Sequence, residues 1–126
     1  MADFEIKAND RLPTIEATLG FGAPAVQADL DDLATVLANA NTRVSFIMRK
    51  QGDPAPKIDK LATIVDASTR RVRYEWADGD TDTPGQYQAE WEVVYPDGKA
   101  QTFPLKTYHS VDVLADLDGN DSPAVS

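Results

Sequence analysis

Residues 78–91, DGDTDTPGQYQAEW, contain the pattern that decides the fold. An acidic turn with glycine and proline leads into a strand in which apolar and polar residues alternate. Asp82, Gly85 and Tyr87 have the spacing of a tyrosine corner, in which a tyrosine hydroxyl near the start of a strand bonds to backbone a few residues upstream. Ala89 stands where antibody-type domains have a cysteine. The stretch therefore predicts an immunoglobulin-like sandwich without its disulfide.

The rest of the chain contains further short predicted strands, among them residues 12–19, which begin at Leu12, and residues 61–65. About eight such strands, with turn signals between them, predict an all-β fold, an immunoglobulin-like antiparallel β-sandwich. The predicted inward-facing sets are Val44, Phe46 and Met48; Val72, Tyr74 and Trp76; and Tyr87, Ala89, Trp91, Val93 and Tyr95. Because these aromatic residues fall on inner faces, we interpret them as core rather than as a ligand platform.

One short helical insert is predicted at about residues 29–40. Leu30, Leu33 and Leu37 recur at helical spacing and form an apolar stripe, and aspartates occupy the first turn, where negative charge is favourable. Two interpretations remain open for the stripe. It either packs on an open end of the sandwich or forms an interface with a partner protein.

Length and composition favour one domain. The chain has 126 residues, which suffices for one core, and we assign residues 1–115 to the sandwich and residues 116–126 to a flexible acidic tail. There is no cysteine, so no disulfide or thiolate site is expected. The first residues lack a secretion signal and no apolar run of membrane-spanning length occurs, so we expect synthesis in the cytoplasm and no membrane partner.

The charge argues against nucleic acid as a partner. The formal net charge is −9, from 21 acidic and 12 basic residues. Phosphate binding requires a basic face. A basic stripe would have to lie at Arg70, Arg71 and Arg73, and the acidic residues that follow, beginning with Glu75, weigh against it.

No set of residues typical of catalysis is present. His109 is the single histidine, and neither a cysteine nor a Gly-x-Ser-x-Gly motif accompanies it. Glu90 and Glu92 share the solvent face of one strand and are interpreted as surface charge. We therefore expect no enzyme activity and no cofactor.

The acidic turn also resembles part of a calcium loop. Asp78, Asp80 and Asp82 have its first three spacings, but Thr83 and Ala89 occupy the places where an EF-hand requires glycine and glutamate. The motif therefore fails. A looser surface calcium site and a plain solvated turn remain as alternatives.

The order of several segments resembles the N-terminal domain of phage baseplate upper proteins. The segments are 6–19 (IKANDRLPTIEATL), 44–49 (VSFIMR), 64–66 (IVD), 72–76 (VRYEW), 79–87 (GDTDTPGQY), 90–99 (EWEVVYPDGK) and 102–104 (TFP). The resemblance covers about residues 4–114. This chain differs from those proteins in its helical insert and in the absence of a receptor-binding region.

This resemblance implies a non-enzymatic virion structural protein. It would be a docking module present in several copies per particle, made in the host cytoplasm and bound to other phage virion proteins, at the tail or baseplate. A capsid decoration or head–tail junction protein is the alternative position.

A carbohydrate-binding or cell-surface module is the alternative from another class. Phe21 or Tyr108 would stack on a sugar, and Asp80 with Asp82 would hold calcium. The missing secretion signal weighs against this alternative.

Overall fold

The computed structural model describes residues 4–20, 27–103 and 109–115. Within these residues, nine strands and one helix are present. They are β1 (Phe4–Lys7), β2 (Ile15–Thr18), α1 (Gln27–Leu37), β3 (Arg43–Lys50), β4 (Ile58–Leu61), β5 (Thr63–Asp66), β6 (Arg71–Tyr74), β7 (Gly85–Val94), β8 (Ala100–Phe103) and β9 (His109–Leu114). Within the described ranges, no helix is long and apolar enough to cross a membrane.

The strands form two sheets, and the protein is a β-sandwich, as the sequence predicts. The larger sheet has the order β1-β9-β7-β3-β4, with β8 also paired to β7, and the smaller sheet has the order β2-β6-β5. Inward-facing residues of both sheets belong to one hydrophobic cluster. One pairing departs from the antiparallel pattern, because β1 runs parallel to β9.

Aromatic side chains join the two sheets at the centre of the core. Phe46 on β3 stacks on Tyr74 of the smaller sheet, with ring centroids 4.7 Å apart. Trp76 meets the edge of Phe46 at 5.7 Å, and Trp91 lies 4.9 Å from it on the neighbouring strand β7. All four rings are buried, so the alternating pattern identified the inner faces of β3, β6 and β7 correctly.

The chain changes sheet where the sequence predicted one continuous strand. Residues 61–65 divide between β4 of the larger sheet and β5 of the smaller sheet. Ala62 still donates its N–H to the carbonyl of Val44 at 2.7 Å, whereas Thr63 already pairs with Arg73. The predicted strand at residues 12–19 is also shorter than expected, because β2 begins only at Ile15.

The helical stripe is part of the core. Leu33 and Leu37 are each 3% exposed and belong to the hydrophobic cluster, and Leu30 is half-buried. Of the two interpretations of the stripe, packing on the sandwich is the one that the structure supports for Leu33 and Leu37, since these side chains already cover the domain's own interior. The helix ends at Leu37, and the Thr42 hydroxyl donates to the carbonyl of Val36 at 2.7 Å, where it satisfies a terminal acceptor. The predicted tail, residues 116–126, lies outside the described residues.

Candidate functional site

The residues of the predicted tyrosine corner come together at the start of β7. The Tyr87 hydroxyl donates a hydrogen bond to the carbonyl of Thr83 at 2.7 Å. Burial, and then the negative charge of Asp82, raise the pKa of Tyr87. Gly85 has a φ of 155°, and a Cβ there would lie 3.1 Å from Cε of Lys50. The corner holds the acidic turn against the strand that follows it.

The three aspartates of the acidic turn bind three different cations of the chain. Nη1 of Arg11 lies 3.3 Å from Oδ1 of Asp78. Nζ of Lys60 lies 3.1 Å from Oδ1 of Asp80, and Nζ of Lys57 lies 2.7 Å from Oδ1 of Asp82. The bond from Lys57 is the main reason why the pKa of Asp82 is lowered.

The aspartates therefore do not converge on a shared position. No group of metal-ligating side chains occurs in residues 4–20, 27–103 and 109–115. This arrangement does not support the calcium site considered from the spacing of the aspartates. Each aspartate instead forms an ion pair within the chain.

Asp80 is the buried member of the trio, with only 4% of its surface exposed. Its Oδ2 accepts hydrogen bonds from the Tyr74 hydroxyl and from the N–H of Ala77, the latter at 2.8 Å. Burial, followed by the hydrogen bond and the charge of Asp80, raises the pKa of Tyr74 well above its ordinary range. The carboxylate thereby ties the turn at residues 77–81 to the smaller sheet.

This turn clamps the segment that joins β1 to β2. Thr81 is buried, and its hydroxyl donates to the carbonyl of Asp10 at 2.8 Å. Its own carbonyl accepts the N–H of Asn9, also at 2.8 Å. Farther along, the indole Nε1 of Trp76 donates to the carbonyl of Pro13 at 3.0 Å. Residues 9–14, here named the Leu12 loop, are therefore fixed at both ends by buried side chains.

The Leu12 loop presents an apolar side chain to solvent. Leu12 is 76% exposed, the highest fraction among the large exposed hydrophobic residues of the described chain. Beside it lies an open cleft of about 740 Å³, here named the Leu12 cleft. The cleft is lined by Asn9, Asp10, Arg11, Leu12, Thr14, Glu75 and Trp76.

The other candidates from the sequence lie elsewhere. His109 pairs with Ala89 in register, and Glu90 and Glu92 lie on the outer face of the larger sheet. Phe21 and Tyr108, considered for sugar stacking, lie outside the described residues. Asp80 and Asp82, considered for calcium, are each bonded to a lysine.

Sequence reasoning missed the Leu12 loop. It assigned Leu12 to the start of a strand, although the residue stands alone among polar neighbours in KANDRLPT. An isolated large apolar residue directly before a proline was the available signal, because the residue before proline favours an extended or turn conformation.

Comparisons with known proteins found a distant structural neighbour and no relative in sequence. No family model matches the chain, and no curated protein matches it. Among solved structures, CopC from Methylosinus trichosporium OB3b is similar at 13% sequence identity, with a TM-score of 0.45. The match covers 91% of this chain and 86% of CopC.

These findings correct the predicted function. The comparisons found a structural likeness to CopC, and none of the three points to a phage particle. The prediction of a phage virion structural protein is therefore wrong. The likeness to CopC is itself too weak to assign any property of that protein to this chain.

Proposed function

We propose that this chain is a non-enzymatic protein-binding domain that docks a partner through the Leu12 loop and the Leu12 cleft. One observation carries the proposal. A leucine that is 76% exposed stands on backbone that the core holds from both sides.

The energetics favour binding at such a residue. Burying a leucine side chain against a partner is worth about 1.5–3 kcal/mol relative to leaving it in water. Association usually loses part of this gain to the ordering of loops. Here the hydrogen bonds from Thr81 and Trp76 have already ordered the loop, so more of the gain is retained.

The cleft beside Leu12 supplies the complementary half of a contact. Its volume of about 740 Å³ accommodates a large side chain of a partner, with space for neighbouring backbone. The cleft is open, and charged and apolar residues both line it, as is typical of a protein-binding surface with a polar rim. A projecting leucine beside a receiving cleft allows two partners to interlock.

The shifted pKa values among the described residues have structural causes. The raised pKa values belong to Tyr74, Tyr87 and Tyr95, and burial is the largest cause in each case. The lowered values belong to Asp66 and Asp82, which hydrogen bonds stabilise as carboxylates. None of these five residues lines the Leu12 cleft.

Site-specific photo-crosslinking tests the proposal. A photoreactive amino acid replaces Leu12 in one variant and, as a matched control, Leu61 in another, since Leu61 is also well exposed but lies on β4. Illumination in the cells that naturally produce the protein is expected to give a discrete protein adduct from position 12 alone. Equal adducts from both positions, or none from position 12, would contradict a docking role for the loop.

A further inference from the structure

We propose that the segment bound in the Leu12 cleft is basic, with a lysine or arginine side chain that enters between Asp10 and Glu75. The inference rests on the proposed function and specifies the chemistry of the partner. It follows from the charges that remain uncompensated around the cleft.

Arg11 is the basic residue of the cleft lining, and it already forms an ion pair. Arg11 pairs with Asp78, a highly exposed carboxylate at the adjoining turn. The carboxylate of Asp10 has no ion pair within the part of the chain that the structure describes. Glu75 is well exposed, and its ion pair with Arg73 is long, with 3.7 Å between Nη1 of Arg73 and Oε2 of Glu75. The charge that the cleft offers to a ligand is therefore negative.

The shape of the site suits a long basic side chain. Lysine and arginine lay their apolar stems along hydrophobic surface and keep the charged end at a polar rim. In the Leu12 cleft, Leu12 supplies apolar surface, with a small contribution from Trp76, which is 4% exposed, while Asp10 and Glu75 supply the carboxylates. One side chain can thus use both parts of the lining.

The charge of the whole chain points to the same partner. A net charge of −9 attracts cationic segments and accelerates their encounter at low salt. It opposes docking of a second copy, which would bring two chains of −9 together. Among polypeptide occupants, a basic segment of another protein is therefore the one that the electrostatics favour.

Short model peptides test the charge preference directly. Three fluorescent Gly/Ser-rich peptides carry a Lys-Leu-Lys, a Glu-Leu-Glu or a Lys-Ser-Lys core, and fluorescence polarisation gives each Kd at low salt. The protein variants are Asp10→Asn, Glu75→Gln and Leu12→Ser. The matched control is Asp59→Asn, which removes one exposed carboxylate from β4, outside the cleft lining.

We expect the Lys-Leu-Lys peptide to bind at least about tenfold more tightly than the Glu-Leu-Glu peptide. Asp10→Asn and Glu75→Gln each weaken it by about two- to fivefold, as is typical of exposed ion pairs. Leu12→Ser weakens it by about tenfold or more, because the apolar contact is lost. Asp59→Asn leaves the Kd unchanged.

Three results would overturn the inference. They are equal affinity for the two charged leucine peptides, equal weakening by Asp59→Asn and Asp10→Asn, and no binding of any peptide. If position 12 nevertheless gives a protein adduct, the docking role stands and only the basic partner is refuted. If position 12 gives no adduct either, the proposed function fails as well.

Discussion

Removing the buried carboxylate of Asp80 tests how the core holds the Leu12 loop. In Asp80→Ala the Tyr74 hydroxyl and the Ala77 N–H both lose their acceptor. A buried donor without a partner costs about 1–3 kcal/mol. Tyr74 is buried and Ala77 is half-buried, so we expect a loss of about 2–5 kcal/mol in the free energy of unfolding. This is a large part of a typical stability of about 5–15 kcal/mol.

Two further variants separate the contributions. Asp80→Asn keeps one oxygen that can still accept from Tyr74 and Ala77, and we expect a smaller loss of about 1–2 kcal/mol. Lys60→Met removes only the half-exposed ion pair with Asp80, which contributes at most about 1 kcal/mol. The expected order of stability is therefore parent, Lys60→Met, Asp80→Asn and Asp80→Ala.

Urea unfolding followed by tryptophan fluorescence measures these differences, because Trp76 and Trp91 are both buried in the core. A loss below about 0.5 kcal/mol for Asp80→Ala would refute the hydrogen-bond network as described. A loss for Lys60→Met as large as that for Asp80→Ala would show that the ion pair, rather than the buried donors, carries the stabilisation.

Four further predictions concern the corner, the helix and pH. Tyr87→Phe should lower the unfolding free energy in urea by about 1 kcal/mol, since Thr83 is exposed and water can replace the lost hydroxyl; a melt equal to the parent would show that the bond contributes nothing. Gly85→Val should lower the melting temperature through backbone strain and the close approach to Lys50, and an unchanged value would contradict this. Leu33→Asp should unfold the domain, as circular dichroism would show, and a folded variant would contradict core burial. Stability should fall as pH rises above 10.0, because the unfolded chain then releases the Tyr74 proton that the folded chain retains; a Tyr74→Phe variant with the same alkaline slope would contradict this.

The sequence predicted those parts of the fold that depend on local alternation. Val44, Phe46 and Met48 alternate with polar residues, and one buried face is the only arrangement that satisfies this pattern in a strand. The corner was also predictable, because its glycine and tyrosine lie within a few residues of each other.

Long-range pairing escaped prediction. The chain crosses between sheets at Ala62 without glycine or proline, so only the partners of its neighbours, Ser45 for Leu61 and Arg73 for Thr63, identify the crossing. The helix was predicted from its spacing. Whether its stripe faced the core or a partner depended on the space that the sheets leave uncovered, which no local pattern encodes.

The sequence did not predict the candidate site for a related reason. The acidic turn looked solvated, but Asp80 faces inward towards Tyr74, and Thr81 reaches back to Asp10. These contacts join segments that are distant along the chain. The exposure of Leu12 indicates a binding site only because these contacts fix the loop that carries it.

The most direct test of the central claim is the backbone mobility of the Leu12 loop in the free protein. Amide ¹⁵N relaxation gives order parameters for residues 9–12 and 14, since Pro13 has no N–H. A loop that is held ready for a partner is expected to show order parameters of about 0.85, equal to those of β3 and β7. Values below about 0.6 would contradict a preorganised docking site, because the exposure of Leu12 would then reflect only a mobile loop.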